Sequence, residues 1–171
     1  AIAMEGHPDN ATPCIHGGLT ISFYDETKSR WIYKKIETNG DLNIMTFVPN
    51  FISETNQSRK KIPSEVLLKD AVNNMSRVAL LIDSLKSGDY SYLKSATEDF
   101  LHQNIRLESF PQIKFLMGAA IEAGALGAIL SGSGPTLMVF TKGKEFTIDY
   151  ELKEAARKHN LEGQITLTKI S

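Results

Sequence analysis

Apolar residues return at three- and four-residue steps along residues 64–88: Val66, Leu67, Val72, Met75, Val78, Ala79, Ile82 and Leu85. That spacing keeps one face of an α-helix apolar and predicts a long amphipathic helix, capped by Ser64 and stopped at Gly88. Such a helix is stable only against a second layer that covers its stripe. Short apolar runs flanked by glycine, residues 125–130 and 136–141, read as buried strands, and the alternation along residues 164–170 reads as a last strand. Further helices are expected over residues 90–101, 111–123 and 151–159, with Pro111 suited to a first helical turn. Helices set against a small, mostly antiparallel sheet make an α+β fold.

The first third reads differently. Asp9 or Asn10 can cap a short helix over residues 11–16, which Gly17 and Gly18 end. Strands are expected over residues 19–24, 31–36 and 42–48, and Asn39-Gly40-Asp41 is a hairpin signal between the last two. Three meandering strands behind one helix form an incomplete layer. The chain also opens without an initiator Met, in a segment that reads as the tail of a helix, so a truncated first domain is expected over residues 1–48. Residues 49–171 are expected to form the second domain. Residues 49–63 are polar, with one helical turn expected around Thr55 to Arg59.

Composition excludes several classes of function. The 171 residues carry 19 Lys plus Arg against 20 Asp plus Glu, a net charge of -1, so no basic excess is available for a nucleic-acid backbone. The longest apolar stretch, residues 115–130, contains Glu122 and three glycines and falls short of the ~20 residues that span a bilayer, so no membrane partner is expected. Cys14 is the single cysteine and can make neither an internal disulfide nor a structural zinc site without other ligands. A reduced, cytoplasmic setting is the default expectation.

Three places could carry chemistry. Residues 130–136, Leu-Ser-Gly-Ser-Gly-Pro-Thr, lie between two expected strands, and Gly132 and Gly134 beside Ser133 let backbone N–H groups approach an anion. The segment lacks the lysine of a phosphate-binding Walker loop and the glycine spacing of a dinucleotide site or a nucleophile elbow. A tight glycine turn in a hairpin is the plainer reading. Glu5-Gly6-His7-Pro8-Asp9-Asn10 gathers a carboxylate, an imidazole and a carboxamide at a helix start, able to hold an ammonium, a hydroxyl or a carboxylate. Its plainer reading is a capped turn. His7 and His16 lack helical spacing and a third ligand, so no metal site is expected. Arg59 follows Thr55 by four residues, and Arg106 follows Asp99, His102 and Gln103 where a helix runs out. A guanidinium fork suits a substrate carboxylate, although most arginines are solvated surface residues.

Together these pieces resemble one family. Glu5-Gly6-His7-Pro8-Asp9-Asn10, then Pro13 and Gly17-Gly18, resembles the pattern of homoserine kinases, members of the GHMP small-molecule kinases. Thr55 and Arg59, then Asp99 to Arg106, then residues 130–136 as the third GHMP motif, follow in that family's order over essentially the whole chain. The last motif alone marks the superfamily. The Glu5 to Asn10 loop is more specific, because mevalonate and galactose kinases carry other sequences there. The resemblance implies the end of a GHMP N-terminal domain over residues 1–48 and a ferredoxin-like C-terminal domain over residues 49–171. It implies phosphoryl transfer from ATP, with Mg2+, to the hydroxyl of L-homoserine, giving O-phospho-L-homoserine on the route to threonine.

By the same resemblance His7, Asp9, Asn10, Arg59 and Arg106 line the amino-acid pocket, with the two arginines on the carboxylate and Asp9 and Asn10 on the polar end. Thr55 would lie near the reacting hydroxyl as the catalytic residue, and Gly132, Ser133 and Gly134 would support the phosphate loop. Phosphoryl transfer relies on positioning and charge neutralisation, which suits this inventory. Ala11, Thr12, Cys14 and His16 depart from the family at packing positions. The family's first motif, its glycine-serine phosphate loop and its acidic magnesium ligand would lie upstream of Ala1, so the chain is expected to be inactive alone. Two other readings stay open: an amino-acid-sensing module, and a GHMP kinase for another small hydroxylated substrate. A homodimer is also open.

Overall fold

A computed structural model describes residues 2, 6–51 and 63–170. Its elements are α1 (Pro8–His16), β1 (Leu19–Asp25), β2 (Arg30–Ile36), β3 (Asn43–Pro49), α2 (Leu68–Ser87), α3 (Leu93–Ala96), α4 (Gln103–Leu107), α5 (Pro111–Glu122), β4 (Gly127–Leu130), β5 (Leu137–Thr141), α6 (Glu145–Lys158) and β6 (Gly163–Lys169). β1 and β2 form an antiparallel ribbon, with Leu19 opposite Ile36 and Asp25 opposite Arg30. The other strands form one antiparallel sheet in the order β4-β5-β3-β6. Strand β3, a helical crossover, the β4–β5 hairpin, helix α6 and β6 make the split β-α-β arrangement of a ferredoxin-like domain. The α+β expectation is met.

Period-2 alternation divides the sheet's side chains between two cores. Met45, Phe47, Leu137 and Val139 face α5 and α6, where Ile113, Leu116, Ile148 and Leu152 are fully buried. Ile44 and Phe140 face the other way, onto Leu85 of α2, Leu93 of α3 and Tyr90. Each large side chain so buried contributes about 1.5–3 kcal/mol, which fixes the register of the central strands.

Several expectations need correction. The strand expected over residues 42–48 forms as β3, Asn43–Pro49, but it pairs with β5 and β6 rather than with β2. The expected hairpin at Asn39-Gly40-Asp41 is instead a connection pinned to the end of α2: Asn39 N–H donates to Leu85 O at 2.8 Å, and Tyr90 Oη–H donates to Asp41 at 2.7 Å. Among the described residues the strand therefore shares its sheet only with elements that follow residue 48.

Helix α1 begins at Pro8, three residues early, with His7 as its cap residue, so Asp9 and Asn10 lie inside its first turn. Ser64 does not cap α2, which starts at Leu68. The buried side of α2 carries Ser84 and Leu85 with Leu80 and Leu81 partly covered, whereas Val72, Met75 and Val78 are exposed. The helix expected over residues 90–101 is only the short α3, followed by turns and α4. Helix α6 starts six residues before the expected position, at Glu145, because Ile148 is drawn into the core. Among the described residues no helix is long and apolar enough to cross a membrane.

Candidate functional site

The glycine segment joins β4 to β5 as a tight loop. Ser131 N–H donates to Thr136 O at 2.8 Å, and Gly134 N–H donates to Ser131 O at 3.0 Å. Gly132 and Gly134 take φ of 58° and 77°, in the left-handed region where a Cβ costs roughly 1–2 kcal/mol. A Cβ on Gly134 would also lie 3.2 Å from Leu130 Cδ2. The peptide between Gly134 and Pro135 is cis.

Helix α4 grips this loop at two points. Arg106 donates from Nη1 to Gly132 O at 2.6 Å. Gln103, buried at 8% exposure, accepts at Oε1 from Leu130 N–H at 2.8 Å. The two side chains are three residues apart and so project from the same side of one helical turn.

Asp99 sets where α4 begins. Its carboxylate accepts from the N–H groups of Leu101 at 2.7 Å, His102 at 3.3 Å and Gln103 at 2.9 Å. It also accepts from Asn74 Nδ2 at 2.9 Å and lies 2.9 Å from His102 Nδ1. Asn74, on α2, closes the ring by accepting Phe100 N–H at 2.8 Å. Burial opposes the charge on Asp99, but the His102 contact, the Leu101 N–H and the Asn74 amide together hold its carboxyl well below the usual carboxylate range. Asp99 stays ionised, and a fixed acceptor of several N–H groups is the means by which such turns are made.

The Arg106 guanidinium is not fully used. Its Nε is buried and has no hydrogen-bond partner among the described residues. A buried unpaired donor costs about 1–3 kcal/mol, and the cost is larger for a charged group. With Nη1 committed to Gly132, the edge formed by Nε and Nη2 is the one that a carboxylate could bridge with two parallel hydrogen bonds, once the covering atoms give way.

His7 is exposed at the start of α1 and makes no side-chain capping bond. Asp9 and Asn10 are exposed, and Asp9 Oδ1 accepts its neighbour's N–H at 3.1 Å. No hydrogen bond or ion pair among the described residues joins His7, Asp9 or Asn10 to Arg106 or to the glycine loop. The other end of α1 does reach the sheet: Pro13, Gly17 and Leu19 line an apolar cavity of about 410 Å³ with Ile44, Ile129 and Met138. Thr55 and Arg59 lie outside the described residues. The structure thus brings together Arg106, Gly132 and the loop that contains Ser133 and Gly134.

Gln103 and Asn74 were not singled out by sequence reasoning. The signal for Gln103 was its position four residues after Asp99 and three before Arg106. Asn74 carries no comparable signal, since it is one polar residue in a long helix. Among the described residues no group of three or more His, Cys, Asp or Glu could hold a metal ion. No Mg2+ ligand is therefore assigned among them.

Residues 81–161 match the family described as GHMP kinases C terminal. That span covers the end of α2, the Asp99 turn, α4, the glycine loop and α6. The chain contains a GHMP kinase C-terminal domain. Over 165 residues it is 38% identical to a homoserine kinase of Clostridium beijerinckii, a match over 96% of this chain and 55% of that protein. Over 145 residues it is 41% identical to a homoserine kinase of Moorella thermoacetica, covering 85% of this chain and 48% of that one. The GHMP domain and its flanks share the fold of a homoserine kinase crystal structure from Cytophaga hutchinsonii, with a TM-score of 0.86 at 24% identity over 96% of this chain and 52% of that one. The chain spans about half the length of the curated relatives it matches.

Proposed function

We propose that this chain is part of a homoserine kinase, which transfers the terminal phosphoryl group of ATP to the hydroxyl of L-homoserine and forms O-phospho-L-homoserine for threonine biosynthesis. The supporting observation is Arg106, tied to Gly132 and with no partner for its Nε among the described residues, beside a glycine loop of the third GHMP type. The match to homoserine kinases over nearly the whole chain agrees with that reading. Residues 1–48 would then end the N-terminal GHMP domain, with β3 contributed across that boundary to the C-terminal sheet, and the enzyme would work in the cytoplasm.

Each residue has a distinct task in this account. Arg106 bridges the substrate carboxylate through Nε and Nη2, and Arg59 holds the same group from a second side. Asp9 and Asn10 engage the ammonium end, His7 lies near them, and Thr55 sits by the reacting hydroxyl. Gly132, Ser133 and Gly134 close the substrate end of the cleft. ATP supplies the phosphoryl group, and Mg2+ would neutralise its charge. Binding and orientation of this kind convert a bimolecular encounter into an aligned one, which is most of what phosphoryl transfer requires of a protein.

The test is product formation by the protein expressed from the complete reading frame that contains this chain. Incubation with ATP, Mg2+ and L-homoserine should give a phosphate monoester of homoserine by phosphorus NMR. ATP turnover only with another hydroxylated acceptor would move the substrate elsewhere within the GHMP kinases. Amino-acid binding without turnover would favour a sensing module.

A further inference from the structure

We infer that Gln103 is a positioning residue, whose buried carboxamide sets the glycine loop at the height where Arg106 can hold it. The inference rests on the reading that Arg106 and this loop form the carboxylate end of the substrate pocket.

Among the described residues strand β4 is an outer strand of the sheet, paired on one side only, with β5. Its terminal N–H, on Leu130, goes to Gln103 Oε1 on α4 rather than to a strand. A buried N–H at a sheet edge needs an acceptor, and water or a backbone carbonyl would satisfy it equally well. A carboxamide does something more, because it belongs to the helix that also carries Arg106. Gln103 is itself fixed from behind, since its backbone N–H donates to Asp99 Oδ2 at 2.9 Å. The chain of contacts therefore runs from Asp99 to Gln103 to Leu130 at the loop's entrance, and from Arg106 to Gly132 at its crest. Two anchors on one short helix set both the loop's height and its tilt. Removing the first leaves Arg106 attached to a loop that can slide.

Gln103→Met keeps length and loses the acceptor, and Gln103→Glu keeps an oxygen in the same place. In the 171-residue chain, amide exchange should speed up at least tenfold at Leu130 and at Ser131 and Gly134 in Gln103→Met, with α6 amides unchanged. The Arg106 Nε–H resonance should shift in the same variant, and Gln103→Glu should restore both. If Gln103→Met does not fold, Asp99→Asn, which frees the Gln103 N–H, should produce the same loosening and the same Arg106 shift. Faster exchange at Leu130 alone, with Arg106 and the loop unmoved, would reduce Gln103 to an edge cap and overturn the inference. None of these readouts needs a substrate, so they stand even if homoserine is not the acceptor. In the active enzyme Gln103→Met should raise KM for homoserine about tenfold, with KM for ATP and kcat within twofold. An unchanged homoserine KM in a loosened loop would also overturn it.

Discussion

The guanidinium of Arg106 and the carbonyl of Gly132 meet at 2.6 Å, although 26 residues separate them in the chain. A turn that would otherwise be a mere hairpin connection is thereby joined to a charged group whose Nε has no partner among the described residues.

Gly163 begins β6 opposite Pro49. A Cβ there would lie 2.5 Å from Phe47 Cζ and 2.6 Å from Val48 O, so both the core and the backbone of β3 would have to shift. Gly163→Ala should cost about 1–3 kcal/mol. Gly40→Ala is the control, because nothing lies within 4 Å of the added carbon, and it should stay within about 0.5 kcal/mol. Urea midpoints of the two variants check the contrast, and equal midpoints would contradict the sheet packing described.

Asp99 predicts the acid limb of stability. Its carboxyl is lower in the folded state than the ordinary 3.8, so the native state binds fewer protons than the unfolded one. The stabilisation is fully present above about pH 5 and drains away as the pH falls through 3.8 toward the folded value. Asp99→Asn should be less stable at pH 7 and should show a shallower loss between pH 4 and pH 2. Parallel stability–pH curves for the two proteins would refute the assignment.

Tyr90 governs the opposite limb. Burial, with the Asp41 carboxylate that accepts its hydroxyl, pushes the phenol up from 10.0 to about 12. A group raised in the folded state stabilises below its unfolded value and loses that contribution as pH rises through the folded value. Tyr90→Phe should therefore be destabilised at pH 7, and the gap to the parent protein should narrow between pH 10 and pH 12. A gap that stays constant over that range would show that Tyr90 acts by packing alone.

Much of the C-terminal domain could be read from the sequence because its signals were local. Glycines around residues 130–136 marked the β4–β5 hairpin, and Pro111 opened α5 as expected. Pairing was harder. Asn39-Gly40-Asp41 has the chemistry of a hairpin turn, but alternation in β3 says only that one face is buried, not which strand lies beside it. The contacts that decided it, Asn39 to Leu85 and Asp41 to Tyr90, span 46 and 49 residues. The break at residues 97–102 was missed for another reason: apolar spacing there fits a helix, and the Asp99 side chain overrules it by taking the N–H groups of Leu101, His102 and Gln103. At the site, Arg106 and the glycines stood out by residue type. Gln103 and Asn74 matter only through where they end up.

The most direct test of the central claim is homoserine-dependent ADP release by the protein from the complete reading frame, compared with its Arg106→Ala variant. The assay should be run with L-homoserine and with 3-aminopropan-1-ol, which keeps the amine and the hydroxyl but lacks the carboxylate. Truncating one partner of a buried charge-assisted pair costs about 2–5 kcal/mol, so kcat/KM for homoserine should fall at least about 30-fold. Activity on the carboxylate-free alcohol, weak from the start, should change little. Equal losses on both acceptors, or a homoserine loss below threefold, would contradict the role given to Arg106 and with it the proposed pocket.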